Sequence, residues 1–204
     1  MIKTIVVFMI FNDGLCTKFN LSSDYDSERI PQKPLAMKSN FIIHAVTSMN
    51  TDSRTFGLDV TLKQRWKDYR ISMNNSRAKL HYKTTDIWLP EYFVYHATNQ
   101  RRAYVTIELS NTTGVVTVKK TTHFMIDIGC AMNFTDFPND KQECYLALYT
   151  NDYNETEISM TTKVVSAASP KYLQVSDWNV DIIEGNFTPY TNVSTTGITI
   201  SILH

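Results

Sequence analysis

Phe56-Gly57-Leu58-Asp59-Val60-Thr61-Leu62-Lys63-Gln64-Arg65-Trp66 alternates apolar and polar side chains. Phe56, Leu58, Val60, Leu62 and Trp66 share one phase, while Gly57, Asp59, Thr61, Lys63 and Arg65 take the other. Side chains of a strand alternate with a period of two, so this segment turns one face to a core and the other to a polar surface. The period recurs in Val105, Ile107 and Leu109, in Phe124, Ile126, Ile128 and Cys130, and in Ile198, Ile200 and Ile202. Asn111-Thr112-Thr113-Gly114 lies between two such runs and has the composition of a hairpin turn. No long stretch carries a period of 3.6, and the best helical candidate is the short piece before Pro31. Many strands at short spacing, separated by turn signals, point to a β-sandwich or barrel. There is no internal repeat or domain boundary, and residues 166–170 read as a surface loop.

Composition agrees. The chain has 204 residues, enough to bury a full core, and only six Gly and six Pro beside abundant Tyr, Phe, Thr, Val and Ile. Lys plus Arg equal Asp plus Glu at 20 each, so nothing favours nucleic acid or an anionic membrane as a partner. The five histidines, His44, His81, His96, His123 and His204, show no paired metal spacing along the chain. No H-E-x-x-H, G-x-S-x-G or phosphate-binding loop is present, so the sequence supports no catalytic site, metal or cofactor.

One lysine and an apolar run from Ile5 to Phe11 resemble a secretory signal, expected to span residues 1–16, with 17–204 forming a single domain. Cys16 then lies at the processed end, leaving one pair of cysteines in an oxidising compartment. Asn20, Asn74, Asn111, Asn133, Asn154, Asn186 and Asn192 each open an N-glycosylation sequon, consistent with secretion. No later segment approaches the ~18 apolar residues of a membrane helix.

Cys130 and Cys144 enclose thirteen residues. Spacing alone leaves two unpaired buried thiols as an equal alternative. The enclosed Phe137-Pro138-Asn139-Asp140, with Gln142 following, resembles the signature loop of Cys-loop ligand-gated ion channels. Further motifs of that family's extracellular domain follow the same order. Tyr25-Asp26 with Pro31 resembles the end of its N-terminal helix. Trp66-Lys67-Asp68-Tyr69-Arg70-Ile71 resembles its Trp-x-Asp-x-Arg-Leu motif, and Trp88-Leu89-Pro90-Glu91 its Trp-x-Pro-Asp. Asp177-Trp178 and the stretch from Ile198 resemble its last two strands.

The resemblance implies an all-β fold, a twisted immunoglobulin-like β-sandwich of about ten strands with a short N-terminal helix. It implies a disulfide between Cys130 and Cys144, and one subunit of a pentamer of homologous subunits. Such a subunit binds a small-molecule neurotransmitter at the extracellular face of the plasma membrane. A pore domain, absent from this chain, would join it to the membrane. Phe137, Pro138 and Asp140, with the turn at residues 50–54, are the expected coupling elements. A secreted, pore-less ligand-binding homologue is the alternative, and a secreted adhesion or carbohydrate-binding module a more distant one.

The family binds ligands between subunits, in a box of aromatic side chains from several loops. Tyr95 matches the tyrosine of the first loop. Asn151 stands where an aromatic residue is usual, flanked by Tyr149 and Tyr153. Thr61 replaces an aromatic wall residue, and Phe187 or Tyr190 supplies the tip loop, which lacks paired cysteines. Lys63, three before Trp66, matches the arginine that holds the ligand carboxylate in amino-acid-gated channels, and Thr121 matches a hydroxyl of the same subsite. This pattern favours an amino acid or other carboxylate over acetylcholine. The residues leave one bland alternative, a solvated lysine and threonine on a polar face. Asp68 and Arg70 are expected to pair internally rather than to bind ligand.

Overall fold

The computed structural model describes residues 19–73, 77–81, 86–111, 114–137, 139–150, 152–166, 174–175, 178–183 and 195–203. In chain order the strands are β1 (Phe19–Leu21), β2 (Leu35–Asn50), β3 (Thr55–Asp68), β4 (Ile71–Met73), β5 (Arg77–His81), β6 (Phe93–Val94) and β7 (Ala97–Asn111). There follow β8 (Val116–Gly129), β9 (Lys141–Tyr149), β10 (Ile158–Ser166), β11 (Gln174–Val175), β12 (Trp178–Ile183) and β13 (Thr195–Leu203). One six-stranded sheet runs β10-β2-β3-β8-β7-β5, a five-stranded sheet runs β11-β12-β13-β9-β6, and β1 pairs with β4. The expected sandwich is present, with eleven strands in its two main sheets.

The alternation of β3 is realised as buried Phe56, Leu58, Val60, Leu62 and Trp66. Two irregularities interrupt its pairing with β2, one between Ile43 and Ala45 and one between Val46 and Ser48. Each inserts one residue into β2, and such bulges re-aim side chains without ending the sheet. Gly57 faces the second bulge. A Cβ there would lie 2.3 Å from Ser48 Oγ and 2.5 Å from Thr47 Oγ1, so any side chain at 57 would displace these two hydroxyls.

Two hydrophobic clusters fill the space between the sheets. The larger joins Phe41, Leu58, Phe124 and Ile126 to Cys144, Leu146, Ile200 and Ile202. The second gathers Trp66, Trp88, Ile107, Leu109 and Val118 around Leu35 and Met37. Trp66 and Trp88 meet edge to face, with ring centroids 5.7 Å apart, a contact worth about 1 kcal/mol beyond the area it buries.

Gln64 and its cross-strand partner Lys120 stand on the inward phase where the two clusters adjoin. With Glu91, Arg102 and Thr122 they line a cavity of about 290 Å³ that also touches Leu62 and Leu89. Lys120 Nζ donates to the Pro90 carbonyl at 2.9 Å. Burial of the ammonium, and secondarily the charge of Arg102, lowers the Lys120 pKa to about 8.

The helix expected before Pro31 is absent among the described residues; residues 22–34 form turns and bends instead. Side chains explain this. Asp26 accepts from the Glu28 amide in a local turn, and Arg70 Nη1 takes the carbonyls of Asp26 and Arg29 at 3.0 and 2.8 Å. Those carbonyls serve a long-range anchor rather than a helical ladder. Arg70 also forms a two-pronged pair with Asp68, at 3.0 Å on each prong, and lies over the Tyr25 ring at 4.3 Å. The internal Asp68–Arg70 pair is thus as expected. Tyr25 completes the knot by donating to Asp68 and accepting from the Trp88 amide. Burial is the chief reason its phenol is held protonated well above the usual range.

Candidate functional site

On the outward face of the six-stranded sheet, register places Asn40, Lys63, Thr121 and Thr106 side by side across β2, β3, β8 and β7. The two residues matched to a carboxylate subsite are therefore direct cross-strand partners. The next rung on one side holds Lys38, Arg65, Lys119 and Glu108. Lys119 pairs with Glu108 at 2.9 Å, and Lys38 and Arg65 leave positive charge in excess on this rung. Among the described residues no carboxylate pairs with Lys63. This surface has the chemistry to hold an anionic group beside a hydroxyl.

The rung on the other side holds Ile42, Thr61, His123 and Tyr104. Thr61 is only 4% exposed, and its Oγ1 lies 2.8 Å from His44 Nε2 and 3.0 Å from His123 Nδ1. Tyr104, 51% exposed, stacks on His123 with centroids 5.1 Å apart. Ring surface is thus present beside Thr61 even though residue 61 has none. His44, Tyr104 and His123 were not among the expected site residues. His44 is the residue inserted at the first β2 bulge, and Tyr104 follows an irregularity between Arg102 and Tyr104, so their cross-strand partners cannot be counted off from the sequence. Alternation puts both on the outward phase, beside inward Ile43 and Val105, but does not show which outward side chains the register brings together.

Tyr95 belongs to the other sheet. It follows β6, which pairs with β9, and its amide donates to the Ala147 carbonyl at 2.8 Å. Its ring stacks on His96 at 3.8 Å. Phe93, 45% exposed, lies opposite Tyr149 with ring centroids 5.7 Å apart. Phe93 is a further aromatic residue that the motif comparison passed over. Tyr153 is placed differently: its ring packs edge-on against Trp88 and its hydroxyl accepts from Trp88 Nε1 at 3.2 Å. Asn151, Phe187 and Tyr190 lie outside the described residues.

Cys130 and Cys144 are bridged, with Cα atoms 5.1 Å apart. A bridge closing a loop of this size stabilises by about 3 kcal/mol in the chain-entropy model. Gln142 is the organiser of the loop. Its side chain accepts from the Asn133 amide at 2.7 Å, donates to the Asn133 carbonyl at 2.6 Å, and donates to Asp140. Asp140 is buried, whereas Phe137 at the tip is 64% exposed. The turn at residues 50–54 is joined to this loop, since the Cys130 amide donates to the Arg54 carbonyl at 2.8 Å. Pro138, residues 1–16, Asn74, Asp177, Asn186 and Asn192 lie outside the described residues.

Residues 17–203 match the family model described as the neurotransmitter-gated ion-channel ligand binding domain. The chain is similar to the bovine neuronal acetylcholine receptor subunit beta-4, 28% identical over 69% of this chain and 29% of the relative. The human beta-4 subunit is 24% identical over 76% of this chain and 32% of its own length. The human gamma-aminobutyric acid receptor subunit rho-3 is 26% identical over 64% of this chain and 29% of its own. The chain thus spans about a third of the length of these relatives, all of them receptor subunits. No described helix is long and apolar enough to cross a membrane. A family match over nearly the whole chain, on a sandwich carrying the bridged loop, places this chain in the family of neurotransmitter-gated ion-channel ligand-binding domains.

Proposed function

We propose that this domain binds a small neurotransmitter at the contact between neighbouring subunits of a pentamer, outside the plasma membrane, and couples binding to opening of a membrane pore. The observation that carries this is the division of the site. Lys63 and Thr121 occupy the outward face of the six-stranded sheet, while Tyr95 follows a strand of the five-stranded sheet. Each is half of a pocket, and a second copy or a homologous subunit supplies the other half. The exposed Phe137 and the Arg54–Cys130 hydrogen bond support a coupling role for the bridged loop and the turn beside it. Together they form one apolar-tipped surface that a pore domain can engage.

The ligand class follows from charge. Lys63 offers an ammonium, with Arg65 and Lys38 on the adjacent rung. This favours a transmitter bearing a carboxylate, with Tyr104 and His123 as ring surface beside it. The similarity to the rho-3 subunit, whose name specifies gamma-aminobutyric acid, agrees with that class. The similarity to acetylcholine receptor subunits does not extend to a full aromatic box, since Thr61 and Asn151 are not aromatic.

Subunit complementation tests the divided site. Receptors containing only Tyr95→Ala subunits, or only Lys63→Ala subunits, should show weakened agonist response. Co-expressing the two single mutants should restore part of the high-potency response, because some interfaces then pair two intact halves. Absence of restoration, with both subunits at the cell surface, would contradict a site shared between subunits.

A further inference from the structure

His44, Asp59 and His123 come from three adjacent strands, yet each offers one ligand atom within 4.8 Å of the other two. We propose that they form a binding site for a divalent transition-metal ion, zinc foremost, on the outward face of the six-stranded sheet. This site rests on its own side chains and does not depend on the ligand assignment of Lys63.

The backbone builds the cluster. Ile43 pairs with Val60 and Ala45 with Asp59, so His44 is the inserted residue of the bulge. Ile43 faces the core, so His44 takes the outward face that Asp59 and Thr61 share, and the insertion seats it between the rungs of these two residues. His123 joins them as the partner of Thr61.

Ligand geometry is near that of zinc. With metal–ligand distances of about 2.0–2.1 Å, neighbouring ligands of a tetrahedral ion are roughly 3.3 Å apart. His123 Nε2 and Asp59 Oδ1 are already 3.3 Å apart. A modest side-chain adjustment brings the His44 nitrogen in.

Two further observations point to a cation. Asp59 Oδ1 is shielded from solvent, and the 3.3 Å approach of His123 Nε2 lacks hydrogen-bond geometry. A carboxylate oxygen in that state is costly, and a metal ion satisfies it. Thr61 Oγ1 meanwhile holds one nitrogen of each imidazole. By fixing His123 through Nδ1 it leaves Nε2 turned toward Asp59, the orientation that a hydroxyl behind a metal ligand provides.

Two imidazoles and one carboxylate suit zinc, copper or nickel, whereas calcium and magnesium prefer all-oxygen sites. A fourth position is left for water or a group from a partner. A bound ion would tie β2, β3 and β8 together, about 7 Å along the strands from the Lys63–Thr121 pair. Its charge would reinforce the positive character of that face.

The test uses the purified disulfide-bonded chain, stripped with chelator and titrated with Zn²⁺ by calorimetry and with Co²⁺ by visible absorption. The expected result is one equivalent bound, a tetrahedral Co²⁺ spectrum, and a rise in melting temperature with Zn²⁺. Asp59→Asn and His44→Gln should each weaken Zn²⁺ binding at least about tenfold. Thr61→Val keeps all three ligands but should also weaken it about tenfold, with Thr61→Ser restoring it. Melting curves without metal verify that each variant is folded, and Thr61→Ser supplies a conservative control if Thr61→Val is unstable. No saturable Zn²⁺ uptake by the wild-type chain would overturn the site. So would uptake of unchanged affinity in both folded Asp59→Asn and His44→Gln, which would assign the ion elsewhere.

Discussion

Lys63 on β3 and Thr121 on β8 face each other directly across an antiparallel pair, so an ammonium and a hydroxyl leave the sheet side by side. Cross-strand partners have Cβ atoms about 5 Å apart, close enough for one small carboxylate to engage both. Asn40 and Thr106 extend the same rung on either side. The fold therefore presents a polar row of defined order, with ring surface one rung away at His123 and Tyr104.

The Asp68–Arg70–Tyr25 knot should be a main determinant of stability. Asp68 is fully buried and Arg70 partly so, and removing the arginine leaves the buried carboxylate without its ion-pair partner. Arg70→Ala is expected to destabilise by about 3–5 kcal/mol. In a domain of this size that lowers the melting temperature by roughly 6–20 °C. Thermal and urea unfolding of the purified chain would measure it, and a loss below about 1 kcal/mol would contradict the assigned role.

Lys120 makes stability depend on alkaline pH. Its folded pKa is lowered to about 8, against about 10.4 for an unfolded lysine. Below pH 8 both states carry the proton, and the full cost of burying the charge is present. Between the two values the unfolded chain binds more protons, so stability should rise with pH, by about 3 kcal/mol in all. Lys120→Met should flatten that rise and leave stability at pH 7 equal or greater. Denaturant midpoints at pH 7, 8, 9 and 10 for both chains would decide.

Glycan occupancy should follow exposure of the sequon backbone. Asn133 and Asn154 are exposed, in turns where each side chain accepts from the amide and hydroxyl of the following threonine. Asn111 instead donates to the Met73 carbonyl, and Asn20 lies within β1. Glycopeptide mass spectrometry of protein secreted from eukaryotic cells is expected to find Asn133 and Asn154 substituted more fully than Asn20 and Asn111. The reverse order would count against the surface described here.

Much of this architecture was legible from residue order. Alternation located the buried faces of β3, β7, β8 and β13, because a period of two survives any detail of packing. The bridged loop and the Asp68–Arg70 pair were legible from motifs that resemble those of the family. The turns before Pro31 were not, because Arg70, far away in sequence, consumes the carbonyls that a helix would need. His44 and Tyr104 fall on the outward phase by alternation, but only the register of β2, β3, β8 and β7 shows that they gather around Thr61 and His123. Lys120 sits on the inward phase, lining a cavity between the sheets, where polarity alone would have placed it outside.

The central claim, that Lys63 and Thr121 hold the anionic end of the transmitter, is tested most directly by agonist dose–response on receptors assembled from this subunit, with and without Lys63→Ala. A charge-assisted hydrogen bond is worth about 1.5–3 kcal/mol, so potency of a carboxylate-bearing agonist should fall roughly 10- to 150-fold. Choline esters should activate weakly, with no dependence on the lysine. Strong activation by choline esters, with carboxylate potency unchanged by Lys63→Ala at normal surface expression, would contradict it.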